Sequence, residues 1–426
     1  MESRLFKGIW VGAVILALLV AVFPDQIFSK TRKTFQTKPQ RAETQQAPRL
    51  VQAAQGGIWC DAQSAILMDG LTGQILYEQN PYLRIPPASF VKVLTLYLAY
   101  DALRAGQIKM DDWVTVSEKA WRTQGSKMFI KVGSRVKVED LLKGIAVTSG
   151  NDACVAIAEH LAGSEEVFVL KMNEKARALG LKDSQIKNSH GMPAEGQYTT
   201  AMDMALLAQR YIEEYPEALA LHSMTEFEYN GIRQGNRNTL LQKNIGVDGL
   251  KTGHVEESGY HLLATAKRDG QRMIAVVMGC DRMRKRAPEA EKLLEYGFRN
   301  FSTVEAVKKG DSFGPVKVRR GNLNQVVLTA AEPGRVTVAR GKESAVTIDP
   351  KLPAFLVAPV QKGQLVARVL IQNEGKVLRE VKLVSSAEVL KSILPPWPVI
   401  LAGIVGIVLI GLFGFWWFRR PKPRKF

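Results

Sequence analysis

Ser89-Phe90-Val91-Lys92 follows Pro86-Pro87-Ala88 and opens the run Val93-Leu94-Thr95-Leu96-Tyr97-Leu98-Ala99-Tyr100. Apolar residues recur there at helical spacing and Gly106 supplies a stop, which predicts a helix over Ser89–Ala105. Two prolines suit the entry to a helix and are excluded from its interior. A serine at a helix start lies near unpaired backbone N–H groups at the positive end of the dipole. A lysine three residues on shares its face, one turn away. The pair therefore offers a nucleophile with a base in reach, provided the lysine is kept neutral. A serine there is also the common helix cap, so the tetrad acquires meaning only from the rest of the chain.

The chain has 426 residues, 46% of them hydrophobic and 23% charged, which gives room for two or three domains. Its net charge of +17 is concentrated at the ends. Residues 1–50 hold eight Lys/Arg against three acids, and residues 419–426 hold five against none, so ten of the 17 charges lie there. Those basic residues flank hydrophobic segments and read as topology signals; no aromatic-and-basic nucleic-acid motif accompanies them, and no nucleic-acid partner is expected.

Ile9–Phe23 is an apolar run of 15 residues behind Arg4 and Lys7, sized for a signal-peptide core, with no small-x-small cleavage site directly after it. Residues 1–28 are thus a signal peptide or an uncleaved anchor, and the polar, basic residues 29–56 a flexible tether. Val399–Phe418 has 20 residues without a charge, ends on Trp416-Trp417 and runs into a basic cluster. This predicts a transmembrane helix over 398–418 and a cytoplasmic tail over 419–426, which puts the folded domains outside the cytoplasm. Cys60, Cys154 and Cys280 are too scattered for a disulfide framework or a zinc cluster, and no metal site is expected.

Between these ends, residues 57–300 mix strands and helices. Ala62–Met68, Asp69-Gly70-Leu71-Thr72-Gly73 and Gln74–Glu78 read as strand, turn, strand. Ser149-Gly150-Asn151 is a tight loop between two helical segments, presenting a hydroxyl and a carboxamide, although Asn151 or Asp152 also suits a plain helix cap. Asp248-Gly249-Leu250-Lys251-Thr252-Gly253-His254 lies on a strand ahead of a hairpin. Gly253 there would let a ligand backbone approach, and Lys251 and Thr252 offer a cation and a hydroxyl to a carboxylate; an ordinary exposed strand is the plainer alternative. Residues 301–388 alternate short strands with Gly/Pro turns, a small all-β domain.

Ser-x-x-Lys, Ser-x-Asn and Lys-Thr-Gly occur together, in that order, in penicillin-binding proteins and serine β-lactamases. With these three motifs, and with Asn188-Ser189-His190-Gly191-Met192, Asn236-Arg237-Asn238 and Arg286-Ala287-Pro288-Glu289-Ala290, the sequence resembles the low-molecular-mass penicillin-binding proteins that act as D-alanyl-D-alanine carboxypeptidases. The resemblance implies an α/β (α+β) catalytic domain of the serine β-lactamase/transpeptidase type, with an antiparallel sheet and a helical subdomain. It implies Ser89 as nucleophile, Lys92 as its base, Ser149 as proton relay and Asn151 as holder of the substrate amide. Lys251, Thr252, Gly253, His254 and Arg286 would bind substrate, His254 through its backbone N–H and Thr252 and Arg286 at the terminal carboxylate. The implied partners are a peptidoglycan peptide ending in D-Ala-D-Ala, β-lactam antibiotics and the cytoplasmic membrane, with no cofactor. A β-lactamase, an endopeptidase acting on cross-links and a non-catalytic wall-peptide binder are the alternatives on the same fold. Many relatives end in an amphipathic helix lying on the membrane, whereas this chain ends in a spanning one.

Overall fold

The computed structural model describes residues 57–392 and 397–419. The expected leader 1–28, the tether 29–56 and residues 420–426 of the basic tail lie outside the described residues.

A five-stranded antiparallel sheet organises the first domain. Its strands are β1 (Ser64–Asp69), β2 (Ile75–Gln79), β3 (Val247–Val255), β4 (Gly259–Arg268) and β5 (Gln271–Cys280), in the order β2-β1-β5-β4-β3. Alternation along β1 sorts side chains into two cores. Ile66 and Met68 face a helical layer, and Ala65 and Leu67 face the opposite side. β5 is buried at all ten positions because both of its faces are covered, which is why it reads as a continuous apolar run.

The helical layer contains α1 (Val91–Arg104), α2 (Asn151–Ala162), α3 (Glu165–Leu179) and α4 (Ala201–Glu214). α5 (Met283–Asn300) covers the other face through Ala290, Leu293, Leu294 and Phe298. One boundary differs from the sequence reading: Ser89 sits in a separate tight turn, Ala88–Phe90, and the α-helix begins at Val91. Arg286 lies within the first turn of α5. A small hairpin pairs Glu226–Tyr229 with Ile232–Gly235.

The second domain pairs β6 (Phe301–Val307) with β9 (Gly334–Ala339). Beside them stands a six-stranded sheet of β7 (Ser312–Arg319), β8 (Gln325–Ala330), β10 (Val346–Lys351), β11 (Phe355–Val357), β12 (Leu365–Asn373) and β13 (Lys376–Ser385), ordered β10-β12-β13-β8-β7-β11. The two domains are joined through Asp69. Its Oδ1 accepts the Leu71 N–H at 2.8 Å and the Thr72 N–H at 3.2 Å, and Oδ2 accepts the Thr337 hydroxyl at 2.9 Å and that of Thr303. Gln74 Oε1 accepts the Thr337 N–H at 3.0 Å. Burial raises the Asp69 pKa in spite of these donors. Each donor left unmatched in such a seam costs about 1–3 kcal/mol, so the contact strongly favours one arrangement of the domains.

α6 (Trp397–Arg419) carries no acid, and its apolar Val399–Arg419 stretch is not buried against the rest of the described residues. By length and composition it suffices to cross a bilayer.

Candidate active site

Ser89 is presented by strained backbone. Ala88 has φ +48°, a conformation costly for a residue with a Cβ. Gly191 (φ +88°) lies so close that a Cβ there would stand 1.8 Å from the Ala88 carbonyl oxygen. Gly253 on β3 closes the other side, where a Cβ would stand 3.2 Å from the Ala88 Cβ. The glycine thus serves the approach of the strand to the Ser89 turn.

Lys92 is wholly buried and its Nζ has three oxygen neighbours: Ser89 Oγ at 3.0 Å, Asn151 Oδ1 at 2.7 Å and the His190 carbonyl at 2.5 Å. The last two oxygens can only accept. A neutral amine has two N–H bonds and one lone pair, so both N–H groups are claimed and the lone pair is left facing the Ser89 hydroxyl. Burial drives the Lys92 pKa down to about 8, and the Arg237 guanidinium adds to the depression.

The two acceptors are themselves fixed. Asn151 Nδ2 donates to the Gln124 carbonyl at 2.6 Å, which turns Oδ1 toward Lys92. The His190 carbonyl belongs to a loop clamped by buried Glu165, whose Oε1 accepts the Ser189 N–H at 3.0 Å and its hydroxyl at 2.7 Å. Thr95 Oγ1 donates to the Ser189 carbonyl at 2.6 Å from the next turn of α1.

Ser149, with φ +62°, ends a short π-helical turn over Gly144–Thr148 and donates from Oγ to Ser89 Oγ at 3.0 Å. The N-cap of α2 is Gly150, with no side-chain cap bond, so the plain capping reading of Asn151 and Asp152 does not hold. Asp152 instead accepts the N–H groups of Met128 (2.8 Å), Phe129 (2.9 Å) and Ile130 (3.3 Å) and so pins the neighbouring loop. Cys154, one turn on, is kept a neutral thiol by burial, which pushes its pKa up to about 12.

Lys251 and Thr252 are buried on β3, and Lys251 Nζ reaches only the Thr252 carbonyl, at 3.3 Å. Burial, with Lys92 and Arg237 nearby, takes the Lys251 pKa well below its ordinary value. The His254 side chain is exposed and stacks on Tyr260 with ring centroids 4.1 Å apart. Arg286 is buried, with its guanidinium 3.4 Å from the Gly253 carbonyl and 3.3 Å from that of Arg237. Arg237 donates to Ser126 Oγ at 2.8 Å. It carries no expected role, although it lies within a stretch quoted for the resemblance. Among the described residues none of Lys92, Arg237, Lys251 and Arg286 forms an ion pair with a carboxylate. Arg237 and Arg286 thus bring standing positive charge to the site, and Lys92 and Lys251 add theirs when protonated, which favours anions there. No group of His, Cys, Asp and Glu suited to a metal ion occurs among the described residues.

Known proteins share this arrangement over most of the chain. The D-alanyl-D-alanine carboxypeptidase family model matches residues 50–282, and that of the penicillin-binding protein 5 C-terminal domain matches 301–391. D-alanyl-D-alanine carboxypeptidase DacC of Escherichia coli is 43% identical over 336 residues, covering 76% of this chain and 83% of its own. The structure of penicillin binding protein 5 from Haemophilus influenzae aligns with a TM-score of 0.75 at 38% identity, over 79% of this chain and all of that one (100%). A Listeria monocytogenes penicillin-binding protein in its ampicillin-bound form aligns at 0.53 and 30% identity, over 57% of this chain and 100% of its own. With a match of this extent across both domains, the chain belongs to the D-alanyl-D-alanine carboxypeptidase family of penicillin-binding proteins.

Proposed function

We propose that this protein is a serine-type carboxypeptidase that removes the terminal D-alanine from peptidoglycan pentapeptides, with Ser89 as nucleophile. The observation that carries the reading is the buried Lys92 Nζ 3.0 Å from the Ser89 hydroxyl, with its pKa lowered to about 8. Neutral Lys92 takes the hydroxyl proton as Ser89 Oγ bonds to the carbonyl carbon between the two D-alanines. The resulting oxyanion is received by the backbone N–H groups of Ser89 and His254. Ser149, bonded to Ser89, passes a proton to the departing amine as the C–N bond breaks, and water then hydrolyses the ester. Asn151 holds the substrate amide, and the terminal carboxylate lies among Thr252, Lys251 and Arg286. In a β-lactam the leaving nitrogen stays tethered to the acyl group, so the same attack leaves the enzyme acylated. Release of D-alanine from a pentapeptide by the purified full-length protein, and its absence from the tetrapeptide, tests the reading.

A pH dependence follows. Only neutral Lys92 can accept the proton, so the acylation rate should rise about tenfold per pH unit below about 8 and level off above it. The Arg237 charge lowers the Lys92 pKa, so Arg237→Gln should raise it, move the rising limb to higher pH and slow the enzyme at neutrality. A limb that stays in place or moves down would mean that Arg237 does not tune the lysine. Rates of penicillin acylation across pH provide the measurement.

We further propose that α6 spans the cytoplasmic membrane with both folded domains outside and residues 419–426 inside. The apolar Val399–Arg419 helix and the basic residues after it support this. Protease added to intact spheroplasts should digest the β-domain and spare a C-terminal tag; destruction of the tag would reverse the orientation.

A further inference from the structure

One end of the β-domain is built from the segments that lead to the membrane helix. Ser392 N–H donates to the Arg320 carbonyl at 2.8 Å, the Asn322 N–H to that of Leu390 at 2.9 Å, and Lys391 bridges Gly321. Val389 pairs antiparallel with Val360, at 2.8 and 2.9 Å, which sets Lys362 opposite Ala387, on the other side of Val389 from Lys391. Arg320, Lys362 and Lys391 are exposed and form no ion pair among the described residues. Leu323 and Leu390 stand among them, 42% and 55% exposed, and Glu388 is the acid of this segment. Trp397 begins α6 five residues after Ser392, a length of chain that spans at most ~18 Å. On the proposed topology, this surface is therefore held within a short tether of the bilayer.

We propose that this end of the β-domain is a docking foot for anionic lipid headgroups, in which Arg320, Lys362 and Lys391 neutralise the headgroups and Leu323 and Leu390 enter the interface. Charge, apolar exposure and the exit of the chain toward its own span fall on neighbouring segments, and the occupant broad enough to meet all three is the membrane in which α6 sits. Each cation near an anionic surface favours the docked state roughly fivefold, so the three together change the docked-to-undocked ratio by roughly 100-fold. The attraction is screened as salt shortens the Debye length to ~3 Å near 1 M.

The test uses the full chain in lipid nanodiscs, pure phosphatidylcholine against a phosphatidylglycerol mixture. A nitroxide is placed by Asn324→Cys or, as the distant reference, by Glu374→Cys in the turn at the other end of β13; the three native cysteines are buried. Collisions with a headgroup-bound nickel chelate and with a water-soluble relaxer are then recorded. The 324 label should meet the headgroup relaxer in phosphatidylglycerol discs and lose that contact in high salt, whereas the 374 label should remain aqueous throughout. Arg320→Glu/Lys362→Glu/Lys391→Glu should abolish the contact while retaining penicillin labelling as proof of folding. A 324 label that stays aqueous in anionic discs overturns the foot and leaves the span intact. Headgroup contact that ignores both lipid charge and the triple substitution means that the cations do not make it and also overturns the proposal. A chain that does not enter discs at all refutes the span, and the foot with it.

Discussion

Ser89→Ala enzyme should release no measurable D-alanine and take up no fluorescent penicillin. Loss of the nucleophile in a comparable serine hydrolase costs ~10⁶ in turnover, because the covalent step disappears and only binding and oxyanion stabilisation remain. Ser149 makes the experiment sharp. Its Oγ lies 3.0 Å from that of Ser89, so it is the neighbouring hydroxyl best placed to replace it. Ser149 is nevertheless farther along the chain of proton transfer and lacks the contact with Lys92 Nζ that Ser89 has. Mass mapping of the penicillin adduct in the wild type should place it on Ser89, and the Ser89→Ala protein should carry none. An adduct on Ser149 in either protein would move the nucleophile and with it the whole assignment of roles.

Arg286→Ala should lower turnover of a free-acid D-Ala-D-Ala peptide by about 10- to 150-fold, the equivalent of one charge-assisted bond of ~1.5–3 kcal/mol. The guanidinium is buried against two backbone carbonyls and has no carboxylate partner among the described residues, so a substrate carboxylate would be its first anion. The same substitution should matter far less for a peptide whose terminal carboxylate is amidated. Arg286 also braces the Gly253 and Arg237 backbone, and a bracing role alone would slow both substrates alike. Equal losses would therefore assign it to the scaffold and leave the carboxylate to Thr252 and Lys251.

What could be read in the chain before folding was whatever depends on local spacing. Ser89 and Lys92 stand one turn apart by helical periodicity, and the first strand pair was marked by the Asp69–Gly73 turn between its apolar runs. The Ser149–Asn151 loop was visible between two apolar helices, and the plainer capping alternative fails because the N-cap is Gly150 and Asp152 serves another loop. Contributions made by backbone leave no mark on residue type, and the His190 carbonyl against Lys92 is one. Arg237 was quoted without a role, since its effect on Lys92 arises from charges 145 positions apart in sequence that only the fold assembles. Asp69 read as an ordinary turn residue. Its carboxylate is committed to hydroxyls 234 and 268 residues away, which no local pattern can announce.

That Asp69 seam turns the molecule into a ruler. With the cleft sheet joined to Thr303 and Thr337, the β-domain adds a rigid length to the catalytic domain, and β13 alone extends ~33 Å over its ten residues. On the proposed topology the cleft and the β-domain therefore move over the bilayer as one body, and the reach of the cleft is set by a carboxylate far from any residue that touches substrate.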